Sequence, residues 1–269
     1  MRKVRAQSIT RVPYSGTVYN FATPPESTYF ANGVGVHNCY MGSTPEGKHG
    51  DYQYISSLFY AMADGEVLEV ALGGGETTLH PRFADILESA RHNNIVPNFT
   101  TRNLAWLKDK ELRERIFKAM GGFAFSVETA EDVRKFAKAI KPFEAFITDG
   151  YTYSKATVQY IVGRDSTESV LEEILLACAK VRIPITLLGF KTTGRGASFG
   201  EKPNPRWVDI VNRVRKANYG LRVGIDTVLA QKGYDKLINA GLDPRCVATT
   251  EGTFSCFVDA VKKTLHKSS

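Results

Sequence analysis

The stretch VLEVALGGGETTLHPRFADILESARHNN, residues 67–94, decides the fold. Its first part is a near-continuous apolar run that stops at three glycines, which reads as a strand buried on both faces. Its second part puts Phe83, Ile86, Leu87 and Ala90 on one face of a helix. The same unit then recurs. IVPNFTT (95–101), GFAFSVET (122–129) and IPITLLGF (183–190) read as strands. ISSLFYAMADGE (55–66), DKELRERIFKAM (109–120), AEDVRKFAKAIK (130–141), SVLEEILLACAKVR (169–182) and NPRWVDIVNRVRKAN (204–218) read as helices. FEAFIT (143–148) and ATVQYIVG (156–163) are expected as two short β pieces, LRVGID (221–226) as a last strand, and the tail as less regular.

Apolar strands alternating with helices of 10 to 15 residues mean βαβ units and a parallel sheet. With at least five such strands, a barrel or partial barrel follows, and chemistry belongs at the C-terminal strand ends. The polar and glycine-rich segments fall at those ends: GGGET (73–77), TTRN (100–103), SVET (126–129) and KTTGRG (191–196).

Composition narrows the class. In 269 residues, 43% apolar and 23% charged, there is enough chain for one large domain or two smaller ones. No apolar run is long enough to span a bilayer, and the basic N-terminus has no apolar core of signal-peptide type. A cytoplasmic location is expected. The net charge of +7 is spread along the chain, as solvated helix faces spread it, rather than gathered into a nucleic-acid patch. The 4 cysteines are too scattered for a disulfide framework, and Cys178, in ILLACAK, is expected in the core.

Before residue 39 the chain has a different character, with β-branched and aromatic stretches broken by turns: TVYNFAT, PPES, TYFANGVGVHN. Residues 18–39 resemble the two C-terminal motifs of inteins, a VY-hydrophobic strand followed by an aromatic-Ala-Asn-Gly strand and Val36-His37-Asn38-Cys39. The residue types suit splicing. A thiol at Cys39 accepts an acyl group from an upstream thioester. The Asn38 side-chain amide attacks its own main-chain carbonyl and breaks the Asn38–Cys39 bond, and His37 assists as charge develops there. Asn20 stands where relatives often have Asp, and Thr28 near where some have His, which bears on rate. The N-terminal intein half is not in this sequence, so this chain alone does not splice.

From residue 39 onward the chain resembles radical S-adenosylmethionine (SAM) enzymes. The resemblance rests on GGGET, on Thr100, Thr101 and Asn103 after the next strand, and on Ser126 after the third; Thr77 stands where relatives usually have Pro. It implies that Gly73, Gly74, Gly75, Glu76, Thr101, Asn103 and Ser126 bind SAM, with backbone and Glu76 meeting its amino group. It also implies a [4Fe–4S] cluster held by Cys-x3-Cys-x2-Cys, of which only Cys39 is present. Cys39 would then serve first as splicing nucleophile and afterwards as iron ligand. The first strand and two cluster cysteines would come from a separate N-terminal intein/extein half, and an external electron donor would supply the reductant.

The expected architecture is therefore α/β: a partial (βα) barrel of radical SAM type lacking its first strand, preceded by a short all-β intein segment. Residues 1–38 would be the intein segment, 39–230 the barrel and 231–269 an extension. After splicing, the enzyme would cleave SAM to a 5′-deoxyadenosyl radical. The alternative is a self-processing intein remnant attached to a non-catalytic βα domain. Cys246 and Cys256 are too few for an auxiliary cluster and are expected as free or buried thiols. His49 and His80 are expected to be structural, and Arg195 to touch SAM or lie in a solvated loop. The substrate is not legible.

Overall fold

Six apolar segments form the six strands of one sheet, and the amphipathic segments between them form its helices. The computed structural model describes residues 48–148, 155–163, 167–192, 201–218, 220–250 and 255–266. In chain order these hold α1 (Tyr52–Asp64), β1 (Glu69–Leu72), α2 (Phe83–His92), β2 (Val96–Thr101), α3 (Lys110–Ala119) and β3 (Gly122–Ser126). Next come α4 (Ala130–Ile140), α5 (Glu144–Ile147), β4 (Ala156–Val162), α6 (Glu168–Val181), β5 (Ile185–Gly189), α7 (Trp207–Ala217) and β6 (Val223–Ile225). The strands lie in the order β1-β2-β3-β4-β5-β6, every neighbouring pair parallel, and the sheet curls into a half-barrel. β1 pairs only with β2, so its other edge carries no strand among the described residues.

Alternation along the strands separates two faces. The outer set, Phe99, Phe123, Phe125, Val158 and Leu187 among them, is fully buried under helix residues such as Leu87, Ile116, Phe136 and Ile174. Phe99 stacks on Phe123 at 5.6 Å, Trp106 sets its edge against both, and Phe136 stacks on Phe125 at 4.8 Å. Such pairs add to the area term because each ring's positive edge or offset face meets its neighbour's π-cloud. A second cluster, built from Phe59, Val67, Val70, Ile86, Ala90 and Ile95, fixes α1 and α2 against β1.

Short polar residues start the helices and fix where each βα loop ends. Asp51 caps α1, Asp109 caps α3, and Thr129 with Asp132 forms a complete capping box on α4. Gly121, between α3 and β3, is required by close approach. A Cβ there would come within 2.6 Å of Asn98 Oδ1.

One expected β piece is helical instead. Within FEAFIT, residues Glu144–Ile147 form α5, following the 3₁₀ turn Lys141–Phe143 that holds Pro142. Phe143 and Ile147 pack on the core while Phe146 is 59% exposed. A spacing of four between the buried residues is helical, and the aromatic content masked that period. The tail is more ordered than expected, with α8 (Thr227–Lys232), α9 (Tyr234–Asn239) and an antiparallel hairpin of β7 (Phe257–Asp259) and β8 (Thr264–His266). The intein-like segment with His37 and Asn38, together with Cys39 and Arg195, lies outside the described residues.

Candidate functional site: the rim at the strand ends

The chain leaves β1 through Gly73–Gly75 and turns at Gly74, whose φ of +135° lies in the region that favours glycine. Among the described residues nothing stands within 4 Å of where its Cβ would point, so the loop backbone is open to them on that side. Glu76 then caps the short turn Thr77–Leu79. Its Oε1 accepts from Thr78 N–H at 3.2 Å, from the Thr78 hydroxyl at 2.7 Å and from the Thr101 hydroxyl at 2.6 Å. Its Oε2 accepts from the backbone N–H groups of Arg102 at 2.8 Å and Asn103 at 3.2 Å. The Thr77 hydroxyl donates to the Thr100 carbonyl at 3.0 Å, and Asn103 Nδ2 donates to the Thr78 hydroxyl at 2.9 Å. One carboxylate thus ties GGGET to TTRN.

A carboxylate offers about four lone-pair sites. Five protein donors therefore saturate Glu76, and an ammonium group that reached it would share or displace them. The exposed backbone of Gly73–Gly75 is the more available surface. TTRN is joined in turn to SVET, because the Arg102 guanidinium pairs with Glu128 at 2.6 Å. Ser126 ends β3 beside Gln159 of β4. Of the fourth expected segment, Lys191 and Thr192 are described, directly after β5. At that side of the rim Asp226 Oδ1 accepts from Gly189 N–H at 2.8 Å and Leu229 N–H at 2.7 Å, and Lys232 Nζ donates to the Phe190 carbonyl at 2.7 Å.

The inner face of the sheet is not apolar, which sequence reasoning missed. Asn98, Thr157, Gln159 and Thr186 are buried there, with Glu69 half-buried at the β1 edge. Asn98 Nδ2 donates to Glu69 Oε2 at 3.0 Å. Desolvation pushes the Glu69 carboxyl up to about 7, against the lowering by that hydrogen bond. Gln159 reaches past the small Ala124 to bring its Nε2 within 3.5 Å of the Thr100 hydroxyl. The signal was available: each is a polar residue inside an otherwise apolar strand, as in LEVAL, VPNFTT and TVQYIV.

His80 Nδ1 accepts from Arg82 N–H at 3.0 Å, so its Nε2 carries the proton and donates to the Gly50 carbonyl at 2.9 Å. The His49 ring lies 5.0 Å from it, edge to face. The pair ties residues 49 and 50 to the loop after β1, which is a structural task. Cys178 is fully buried in α6, and burial pushes its thiol far up from its ordinary value. No three His, Cys, Asp or Glu side chains gather into a metal-binding group among the described residues. A cavity of about 250 Å³ lined by Trp207, Val211, Arg215, Ile225 and Leu237 lies between α7, β6, α8 and α9.

No family model matches the chain, and no curated protein matches it. Solved structures do. SuiB of Streptococcus suis bound to S-adenosylmethionine aligns with a TM-score of 0.63 and 13% identity, covering 90% of this chain and 58% of that one. SuiB bound to the precursor peptide SuiA aligns at 0.59 and 16%, covering 79% and 50%, and a third SuiB structure at 0.57 and 15%, covering 81% and 52%. The chain spans just over half the length of these structures. At such identity the likeness is one of fold alone: a curled parallel half-barrel covered by helices.

Proposed function

We propose that this chain is the larger, C-terminal part of a radical SAM enzyme, completed by a separately supplied N-terminal piece that protein splicing joins at Cys39. The observation that carries the enzyme reading is the hydrogen-bonded joining of GGGET, TTRN and SVET at one rim of a parallel half-barrel. The SAM-bound SuiB structure has the same fold. The residues at the rim fit SAM. The open backbone of Gly73–Gly75 can approach the amino-acid end of the ligand, and Gly74 has the conformation and clearance for it. The Glu76 carboxylate, held by its five donors, would meet the ammonium group by sharing or displacing one of them. Thr101 and Asn103 keep that carboxylate oriented, and Ser126 offers a hydroxyl from the next strand. When bound and reductively cleaved, SAM supplies a 5′-deoxyadenosyl radical; the half-barrel shields the reacting centre from water.

The described residues do not fit the [4Fe–4S] cluster, since no three ligands gather among them. In this proposal its thiolates are Cys39 and two cysteines on the N-terminal piece, whose first strand would pair with the free edge of β1. An external donor supplies the electron. Residues 39–230 are the barrel and 231–269 an extension.

The enzyme reading is tested by calorimetric titration of the full chain with SAM. Glu76→Ala is expected to weaken binding about 10-fold or more, because it loses the charge and releases the TTRN loop. Equal affinity in the unaltered chain and in both Glu76→Ala and Gly74→Val would overturn it. The junction is tested separately, by intact mass after mixing with the cognate N-terminal half. Loss of residues 1–38 and gain of the partner's extein at Cys39 is expected, with Asn38→Ala trapping a branched intermediate. An associated pair whose Asn38–Cys39 bond stays whole removes the splicing part and leaves the enzyme part standing.

A further inference from the structure

Four polar side chains stand on the inner face of the sheet below the rim. Glu69 of β1 and Asn98 of β2 are joined by a hydrogen bond, and Gln159 of β4 and Thr186 of β5 are register partners on neighbouring strands. Asn98 and Gln159 are 1% exposed and Thr186 0%. Each of the four has a side-chain oxygen with no hydrogen-bond partner among the described residues: Glu69 Oε1, Asn98 Oδ1, Gln159 Oε1 and Thr186 Oγ1. The amide orientation of Asn98 is set by its Nδ2 donating to Glu69, so its oxygen is the atom left over.

The imbalance has one sign. With Glu69 ionised, three of the four atoms can only accept, and the fourth, a hydroxyl oxygen, can do so as well. Burying such an atom without a donor costs about 1–3 kcal/mol. A layer that repeats this cost across four strands is suited to a ligand that brings N–H groups. We infer that the inner face below the rim is a binding site for a donor-rich cationic group, an ammonium or guanidinium, with Glu69 as its counter-ion and Asn98, Gln159 and Thr186 as acceptors. This deepens the proposed function by giving the substrate a cationic N–H-bearing group, and it rests on that reading only for the word substrate.

The probe is agmatine, which carries a guanidinium and an ammonium, with tetramethylammonium, a cation without N–H donors, as control. Saturation-transfer NMR on the full chain measures the dissociation constant of each at equal ionic strength. Agmatine is expected to bind in the millimolar range or tighter, and at least about 10-fold more tightly than the control. Glu69→Gln and Gln159→Leu should each weaken agmatine about 10-fold. Thr186→Val should unfold at the same or higher temperature than the unaltered chain, because it removes an unpartnered oxygen at constant shape. SAM affinity, set at the rim, should not change in Glu69→Gln and Thr186→Val. Agmatine binding no tighter than the control, or unchanged by Glu69→Gln, overturns the inference, and does so without touching the enzyme reading while SAM still binds. A clear loss of stability in Thr186→Val would mean ordered water already satisfies the layer, and would overturn it as well.

Discussion

The two faces of the one sheet do opposite jobs. On the outer face Phe99, Phe123, Phe125, Val158 and Leu187 meet the helices in a core of stacked and edge-on rings. On the inner face, at alternate positions of the same strands, stand Glu69, Asn98, Thr100, Gln159 and Thr186, several with oxygens that find no partner. Apolar area buried at roughly 25 cal/mol per Å² makes the first face the source of stability. Unpaired polar atoms make the second a drain on it. A fold that keeps such a face retains it for a purpose other than holding together.

The largest effect that could break this contrast is on the outer face. Phe123→Ala should cost about 3–5 kcal/mol in urea denaturation, because the cavity opens amid Phe99, Trp106 and Phe136. A cost under about 1 kcal/mol would mean the outer face does not carry the fold. A smaller effect of opposite sign is expected inside. Glu69 is raised from 4.5 to about 7 by burial, so the folded state favours its protonated form. Its penalty is absent below pH 4.5 and grows as pH rises toward and through 7. Glu69→Gln should therefore stabilise the chain at pH 8 by about 1–2 kcal/mol, discounted for its partial exposure, and change little at pH 4. Equal effects at the two pH values would show that the carboxyl is not desolvated. Smallest of all is the rim ion pair. Arg102→Ala breaks the pairing with Glu128, but both side chains are about half exposed, and thermal unfolding should report a loss below about 1 kcal/mol. A larger loss would make SVET a structural partner of TTRN rather than a neighbour held loosely beside it.

Much of the fold was legible because two periodicities carry it. The apolar runs at 67–72, 95–101, 122–127 and 183–190 could only be buried strands, and the Asp and Thr residues that cap α1, α3 and α4 marked where helices start. FEAFIT misled, because a single helical turn shows too little of its period to outweigh its aromatic content. At the rim, GGGET, TTRN and Ser126 were legible as segments, since polar residues after a buried strand fall at the C-terminal end of a parallel sheet.

What the local sequence determined, then, is the kind and order of the elements and the end of the sheet where polar segments gather. Where the Glu76 carboxylate points was decided by the tertiary structure, because its donors Thr101, Arg102 and Asn103 lie 25 to 27 residues away and meet it only when β1 and β2 lie side by side. The same holds for the inner layer. A lone Glu, Asn, Gln or Thr in an apolar strand signals a polar position on the face its apolar neighbours leave, but not what stands beside it on the other strands. Strand register sets Gln159 beside Thr186 and brings Ser126 to the other side of Gln159, and register is a property of the whole sheet.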